Sequence, residues 1–309
     1  MATIAQYTYD SSQGTVLPTF NTGFSYSTST STSGTTVTMT ITATSAPTSM
    51  SFQNKNIQRV LILDTSNLTT MDYMFDGCAL LTEVNCTSWN TSNVTSLLGL
   101  FRGCSMLTNL RNIGNIDTSK VTIFKEAFYA CNQLATLHLT NWKFTKTAGS
   151  NYVYMMFAYC NNLRTLTLGD YSLNTTSTNQ HYIFQNCTSL RTINVTCNNS
   201  YALTSFFVDL PDISPNSGTL NLTTSLSSVD TTVAGGKGWT INKITTKDIR
   251  LGSISLSNIY KGSTEITKVY LGTTLLYEKS SSGGGSSGGS IPCTALSVSP
   301  SSYVVNSIS

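Results

Sequence analysis

Between Leu68 and Ile193 the apolar residues follow a pattern that returns every 26 to 29 positions, marked by Cys78, Cys104, Cys131, Cys160 and Cys187. Each of these cysteines stands three residues after a phenylalanine and three before a leucine, as in Phe75-Asp-Gly-Cys78-Ala-Leu-Leu81 and Phe128-Tyr-Ala-Cys131-Asn-Gln-Leu134. A unit this short cannot bury its apolar face alone. Self-similarity at such a period therefore predicts a solenoid, in which stacked coils share one continuous core.

The apolar spacing within one unit assigns its elements. Leu134-x-x-Leu137-x-Leu139 and Leu163-x-x-Leu166-x-Leu168 end in alternation of period two, which predicts a short strand with every second side chain pointing inward. Upstream, Leu68-x-x-Met71-x-x-x-Phe75, Val94-x-x-Leu97-x-x-x-Phe101 and Val121-x-x-Phe124-x-x-x-Phe128 show the spacing of a short amphipathic helix. Asp64, Asn90 and Asp117 each open an x-Thr-Ser triplet before these stretches, where a side-chain oxygen can cap the first helical amides. The period lies within the ~20–29 residues of leucine-rich repeats. The predicted fold is thus an α/β solenoid, a leucine-rich repeat with a short strand plus a short helix per coil, flanked by small all-β modules.

Outside the repeat the pattern changes. Residues 1–50 alternate Ser and Thr with Val, Met and Ile, the period of a half-exposed strand. This segment either caps the solenoid or docks into a larger assembly. The solenoid is expected over residues 51–242, with Leu220 to Ile241 as a degenerate last coil whose Trp239 closes the core. Ile249 to Glu278 reads as short strands and gives a small β module over 243–279. A Gly/Ser-rich tether follows over 280–292. Residues 293–309 then begin a further domain, which implies a longer natural chain.

Composition narrows the function. Charged residues are 10% of the 309, against roughly 25% in typical soluble domains, and Ser, Thr and Asn take their place. This suits a protein displayed outside cells. The net charge of +3 is spread along the chain, with no basic cluster of the kind nucleic-acid binders use. Met1 to Asp10 lacks the basic and apolar regions of a secretory signal peptide. No apolar run approaches the ~18 residues of a membrane span.

The cysteine spacing also bears on redox chemistry. Five of the eight cysteines share one place in the repeat, as packing residues would. One thiol per rung in a row cannot all pair, so free buried thiols are expected. Of the two histidines, His138 falls at an outward strand position and His181 in an insertion, and neither has a catalytic partner at suitable spacing. Metal-binding spacings are absent, and Gly235-Gly-Lys-Gly lacks the spacing of a phosphate loop. No cofactor and no enzymatic activity are expected. The candidate partner-binding surface is the outward face of the stacked strands. Alternation places Glu83 and Asn85, Asn109 and Arg111, Thr136 and His138, Thr165 and Thr167, and Thr192 and Asn194 there in two columns. Such a polar ladder suits a hydroxyl-rich ligand, such as a host-surface glycan.

Taken together, the x-Thr-Ser triplets, Phe-x-Gly-Cys and Leu-x-x-Leu resemble the BspA-type leucine-rich repeats of bacterial and phage surface proteins, over about residues 51–242. The chain departs from that pattern after Trp142 and Tyr171, where insertions lengthen the coil. The run Ile259-Tyr-Lys-Gly-Ser-Thr-Glu-Ile to Leu275-Leu-Tyr-Glu278 resembles a small β module of bacteriophage tail and appendage proteins. Cys293-Thr-Ala-Leu-Ser-Val-Ser-Pro resembles the start of an immunoglobulin-like domain of the Bacteroidetes-associated carbohydrate-binding type. These resemblances imply a tail- or head-fibre protein at the virion surface, held to other virion proteins by its N-terminal region. They also imply a homo-oligomer, a trimer by analogy with such fibres. A bacterial cell-surface adhesin of the BspA kind is the alternative. A glycan-degrading enzyme with its catalytic domain beyond Ser309 is a third reading.

Overall fold

A computed structural model describes residues 1–144, 152–173, 182–245, 259–261, 264–266, 268–271, 274–278 and 291–292. The chain divides into two compact units, Met1–Lys243 and Ile244–Ser309. In chain order the first contains strands β1 (Ala2–Asp10), β2 (Thr19–Phe20), β3 (Ser27–Ser33), β4 (Thr36–Ala43), β5 (Met50–Ser51), β6 (Ile57–Leu63), β7 (Glu83–Asn85), β8 (Asn109–Arg111), β9 (Thr136–Lys143), β10 (Thr165–Asp170), β11 (Thr192–Thr196) and β12 (Gly218–Thr224). Helices α1 (Ser200–Asp209) and α2 (Thr232–Gly236) flank β12, and β13 (Trp239–Thr245) closes the series.

One side of the solenoid is a parallel ladder in which each coil adds one strand. Arg59 pairs with Glu83 and Glu83 with Asn109; further along, Thr136 pairs with Thr165, Thr165 with Thr192 and Thr192 with Thr219. Alternation holds, since Val84, Leu137, Leu166, Ile193 and Leu220 between these positions are all buried. The ladder is interrupted once. Strands β3-β4-β1-β6-β7-β8 form one sheet and β13-β12-β11-β10-β9 another, so β8 and β9 are not paired.

The other side corrects the predicted fold class. The stretches expected as helices are turns, and the only α-helices among the described residues are α1 and α2. Two residues per coil, four apart, have left-handed φ: 54° and 69° at Tyr73 and Gly77, 59° and 70° at Gly99 and Gly103, 55° and 57° at Glu126 and Ala130. An α-helix needs φ near −63° throughout, so it cannot pass these points. Instead the amides alternate in direction. Tyr73, Phe75 and Gly77 donate to the next coil, at Leu98 O (2.7 Å), Leu100 O (3.0 Å) and Arg102 O (2.8 Å). Met74, Asp76 and Cys78 donate three residues back within their own coil, at 3.1–3.3 Å. Each coil thus makes a ribbon of consecutive turns, hydrogen-bonded to its neighbour much as a strand would be. The protein is a β-solenoid, not an α/β leucine-rich-repeat solenoid with a helix per coil.

The misleading spacing has a physical source. Two successive four-residue turns bury Met71, Met74, Phe75 and Cys78, then Leu97, Leu100, Phe101 and Cys104. That order of i, i+3, i+4, i+7 is the same as the buried stripe of a helix. The x-Thr-Ser triplets are likewise turns. Asp64, Asn90 and Asp117 accept the amides two residues on, at 2.8–3.2 Å. The buried Thr65 and Thr91 hydroxyls reach across to Asn90 O (3.0 Å) and Asp117 O (2.8 Å) in the next coil.

The repeated phenylalanine and cysteine form the core between the two sides. Phe52, Phe75, Phe101, Phe128, Phe157 and Phe184 stack in sequence, with centroids 5.4–5.8 Å apart and planes within 26°. Such offset contacts add to the large area each ring removes from water. Each repeat thiol donates to the carbonyl of the phenylalanine one coil earlier: Cys104 Sγ to Phe75 O at 3.1 Å, Cys131 to Phe101 at 3.2 Å, Cys160 to Phe128 at 3.1 Å and Cys187 to Phe157 at 3.0 Å. All seven described cysteines are buried and free.

Both ends of the core are closed. Residues 1–50 cap the first coil, because β1 pairs antiparallel with β6 and with β4, and β4 pairs with β3. At the far end α1 replaces the turn ribbon, capped by Asn199, whose side chain accepts from the amides of Tyr201 and Ala202. Phe206 on α1 ends the phenyl column edge-on to Phe184 at 5.4 Å. Trp239 is buried in the last coil, with Nε1 on Pro211 O at 2.9 Å. In the second unit, β14 (Ile259–Lys261) pairs antiparallel with β15 (Thr264–Ile266), and β16 (Lys268–Leu271) with β17 (Thr274–Glu278). β14 also pairs in parallel with β18 (Ile291–Pro292). The Gly/Ser run 280–290, the start of the predicted immunoglobulin-like domain at 293–309, and the insertions at 145–151 and 174–181 with His181 lie outside the described residues.

Candidate ligand-binding face

The outward strand face is built by register. Since each parallel strand repeats its neighbour's alternation, like positions line up in columns one strand spacing apart, ~4.8 Å. In the first sheet the column is charged. Glu83 stands between two arginines, with Arg59 Nη2 at 2.7 Å from Oε2 and Arg111 Nε on Oε1. Asn85 is turned to the backbone, donating to Leu61 O at 3.2 Å and accepting from the Thr87 amide and hydroxyl.

In the second sheet the column holds no Asp, Glu, Lys or Arg and is tied together side chain to side chain. His138 Nδ1 shares a hydrogen bond with Thr167 Oγ1 at 3.2 Å, and Asn194 Nδ2 donates to the same oxygen at 3.1 Å. Asn221 Nδ2 donates to Asn194 Oδ1 at 2.8 Å, and Asn242 Nδ2 to Asn221 Oδ1 at 3.0 Å. The ladder therefore crosses five coils with fixed rotamers. Beside it Thr136, Thr165, Thr192 and Thr219 form a hydroxyl column in matched register. Thr167 departs from the expectation of an outward solvated side chain. It is only 3% exposed, covered by the longer His138 and Asn194 that it bridges.

Where the ladder is interrupted the face opens into a cleft of about 330 Å³, lined by Asn109, Asn112, Asn115, Thr136, His138 and Thr140, among others. Asn112 turns left-handed there, with φ 60°. The chain then runs close beneath β9, so close that a Cβ on Gly114 would meet His138 O at 2.6 Å. Trp142 fixes this crossing from inside, with Nε1 on Ile113 O at 2.8 Å. Three of the sequence-predicted residues, Asn109, Thr136 and His138, meet at this cleft. Glu83 and Arg111 pair with each other, Thr167 and Asn194 sit in the ladder, and Thr165 and Thr192 lie in the hydroxyl column.

Sequence reasoning missed Arg59, Asn221, Asn242 and the loop Asn112–Asn115. For Asn221 the signal was present, since Thr219-Leu-Asn221 repeats Thr192-Ile-Asn194. For the cleft loop it was not, because the break in pairing follows from packing under β9. A second hollow, of about 390 Å³, is lined by Tyr182, Gln185, Asp212 and Lys237 among others. Lys237 there is engaged structurally, its ammonium on Val208 O (2.5 Å) and Leu210 O (2.7 Å) at the end of α1. That is a favourable place for a cation at a helix C-terminus. Among the described residues no cluster of His, Cys, Asp or Glu could hold a metal ion.

A family model described as "Mycoplasma protein of unknown function, DUF285" matches residues 45–167 and, overlapping them, 85–195. The repeats are similar to that family. The match and the β-solenoid are together compatible with a BspA-type repeat protein. The matched region stops short of residues 249–278 and 293–309. No curated protein and no solved structure matches the chain.

Proposed function

We propose that this chain is an adhesive and structural component of a bacteriophage particle, a tail- or head-fibre protein. Its β-solenoid would present the outward strand face to a host-surface glycan, and it would act by binding rather than by catalysis. The observation that carries the reading is the hydrogen-bonded polar ladder His138–Thr167–Asn194–Asn221–Asn242, ending at the cleft beside Asn109 and Thr136. A sugar is recognised through several hydroxyls at once, and a face whose amides and hydroxyls are already ordered loses little side-chain freedom on binding. The low charge and the resemblance of residues 259–278 to phage appendage modules support the particle context. Docking to other virion proteins falls to the N-terminal region.

A specific observation favours a second reading, since the matching family is described from a bacterial genus. The chain would then be a cell-surface adhesin using the same face. Mass spectrometry of purified particles separates the two. The fibre reading expects this chain's peptides in the particles, and their absence, with the chain recovered from the bacterial surface, replaces it with the adhesin. For the proposed binding face, Asn109→Ala together with His138→Ala is expected to weaken retention on host-surface polysaccharide roughly tenfold or more, with circular dichroism checking that the variant stays folded.

A further inference from the structure

The N-terminal cap ends in a strand that is unlike the other elements of the fold. β3 reads Ser-Thr-Ser-Thr-Ser-Thr-Ser, and all seven of its residues are exposed. Among the described residues it pairs only with β4, in a register that runs without a bulge from Ser27–Thr42 to Ser33–Thr36. Its other edge is a row of backbone donors and acceptors. Folded proteins usually guard such an edge with lysine, proline, a bulge, shortness or a covering loop. β3 has seven residues, no charge, no proline and no bulge.

We propose that β3 is the edge by which two copies of this chain pair, antiparallel about a two-fold axis through Thr30. The sequence of the strand argues for a second copy as the occupant. It reads the same in both directions about Thr30. A two-fold antiparallel pair therefore sets Ser27 against Ser33, Thr28 against Thr32, Ser29 against Ser31, and Thr30 against itself. Hydroxyl meets hydroxyl at every position, on both faces, which is a favourable cross-strand pairing. A different peptide added to an edge draws its specificity from pockets for alternate side chains, and β3 offers only Ser and Thr.

The same register places Tyr26 opposite Gly34 of the second copy. Tyr26 is 38% exposed and packs tilted against Phe20 and stacked on Phe24, at centroid distances of 4.8 and 6.1 Å. Gly34 has open space where a Cβ would stand. Aromatic rings covering glycines across strands are a recognised way to pin register. Because the pairing is isologous it closes at two copies, and hydroxyls on both faces of β3 give no dry surface for further sheets to stack upon. The pairing follows from β3 itself and does not depend on the ligand or on the particle context.

The test is analytical ultracentrifugation of the full chain across a wide range of concentration, with two charge variants. Ser29→Lys/Ser31→Lys puts lysine opposite lysine at both cross-copy pairs, and Ser29→Glu/Ser31→Glu does the same with glutamate. Each variant alone is expected to dimerise roughly tenfold or more weakly than the natural chain. An equimolar mixture of the two should recover dimers. Since the sites are exposed, unchanged melting temperatures confirm that both variants fold. A natural chain that stays monomeric, a trimer, or dimerisation that the substitutions leave unaltered would each overturn the proposal.

Discussion

At the residue scale, cysteine recurs for a reason that exceeds its size. Its carbonyl partner, the preceding coil's phenylalanine, already accepts an amide within its own coil: Phe75 O takes Cys78 N at 3.1 Å as well as the Cys104 thiol at 3.1 Å. The weak thiol donor thus serves the second lone pair of a buried carbonyl, which an apolar residue of similar volume would leave bare. Burial pushes the Cys78, Cys187 and Cys197 thiols up to about 12, and raises those of Cys86, Cys104, Cys131 and Cys160 as well. An unfolded thiol titrates near ~8.5. Above that pH the unfolded chain sheds thiol protons that the folded chain keeps. The stability these groups contribute is therefore complete below pH ~8.5 and falls as the pH rises toward 12, by up to ~1.4 kcal/mol per thiol per pH unit. Urea melts at stepped pH should show this alkaline loss. Alkylation followed by peptide mass spectrometry should find none of the seven modified at neutral pH until denaturant is added.

At the scale of elements, the strands and the core were open to reading from sequence, and the turn ribbon was not. Alternation in Leu137-His138-Leu139 has one structural meaning, and the phenylalanine, cysteine and leucine positions could only be interior. The stretch from Leu97 to Cys104 had two meanings, because a helix and a pair of four-residue turns bury the same positions. The deciding signal lay in Gly99 and Gly103. Two glycines within one supposed helical run would cost about 1 kcal/mol each, whereas at left-handed positions they relieve strain. Tyr73, Glu126 and Ala130 hold equivalent places without being glycine, which blurred that signal. Gly99→Ala should lower stability by roughly 1–2 kcal/mol from left-handed backbone alone. A further loss is expected because the new Cβ would lie 2.6 Å from the Tyr73 ring. In a Tyr73→Ala background that further loss should disappear, which a double-mutant cycle by denaturant unfolding can measure. The outward strand face was legible as columns. What each column does was not, since ion pairing at Glu83 and burial of Thr167 depend on neighbours a whole coil away.

At the scale of the whole first unit, the two sides of the solenoid are unequal in continuity. The ribbon side passes from coil to coil without a gap, with Phe101 N on Ala127 O and Gly103 N on Tyr129 O, both at 2.8 Å, across the level where β8 and β9 part. Stability in stacked repeats is a sum over neighbours, so the strand side is locally weakest at that level. Hydrogen exchange should find the amides of Asn109–Arg111 losing protection before those of Phe101 and Gly103, although both belong to one coil. Uniform protection around that coil would count against the asymmetry.

The gap in the strand ladder also has a mechanical meaning. A stack tied continuously along one wall, and at one level of the other held by loop contacts in place of strand pairing, bends like a book, with its spine at the continuous wall and its pages at that level. Sideways load on the solenoid would then concentrate at a single crease, and the crease runs through the hollow beside His138.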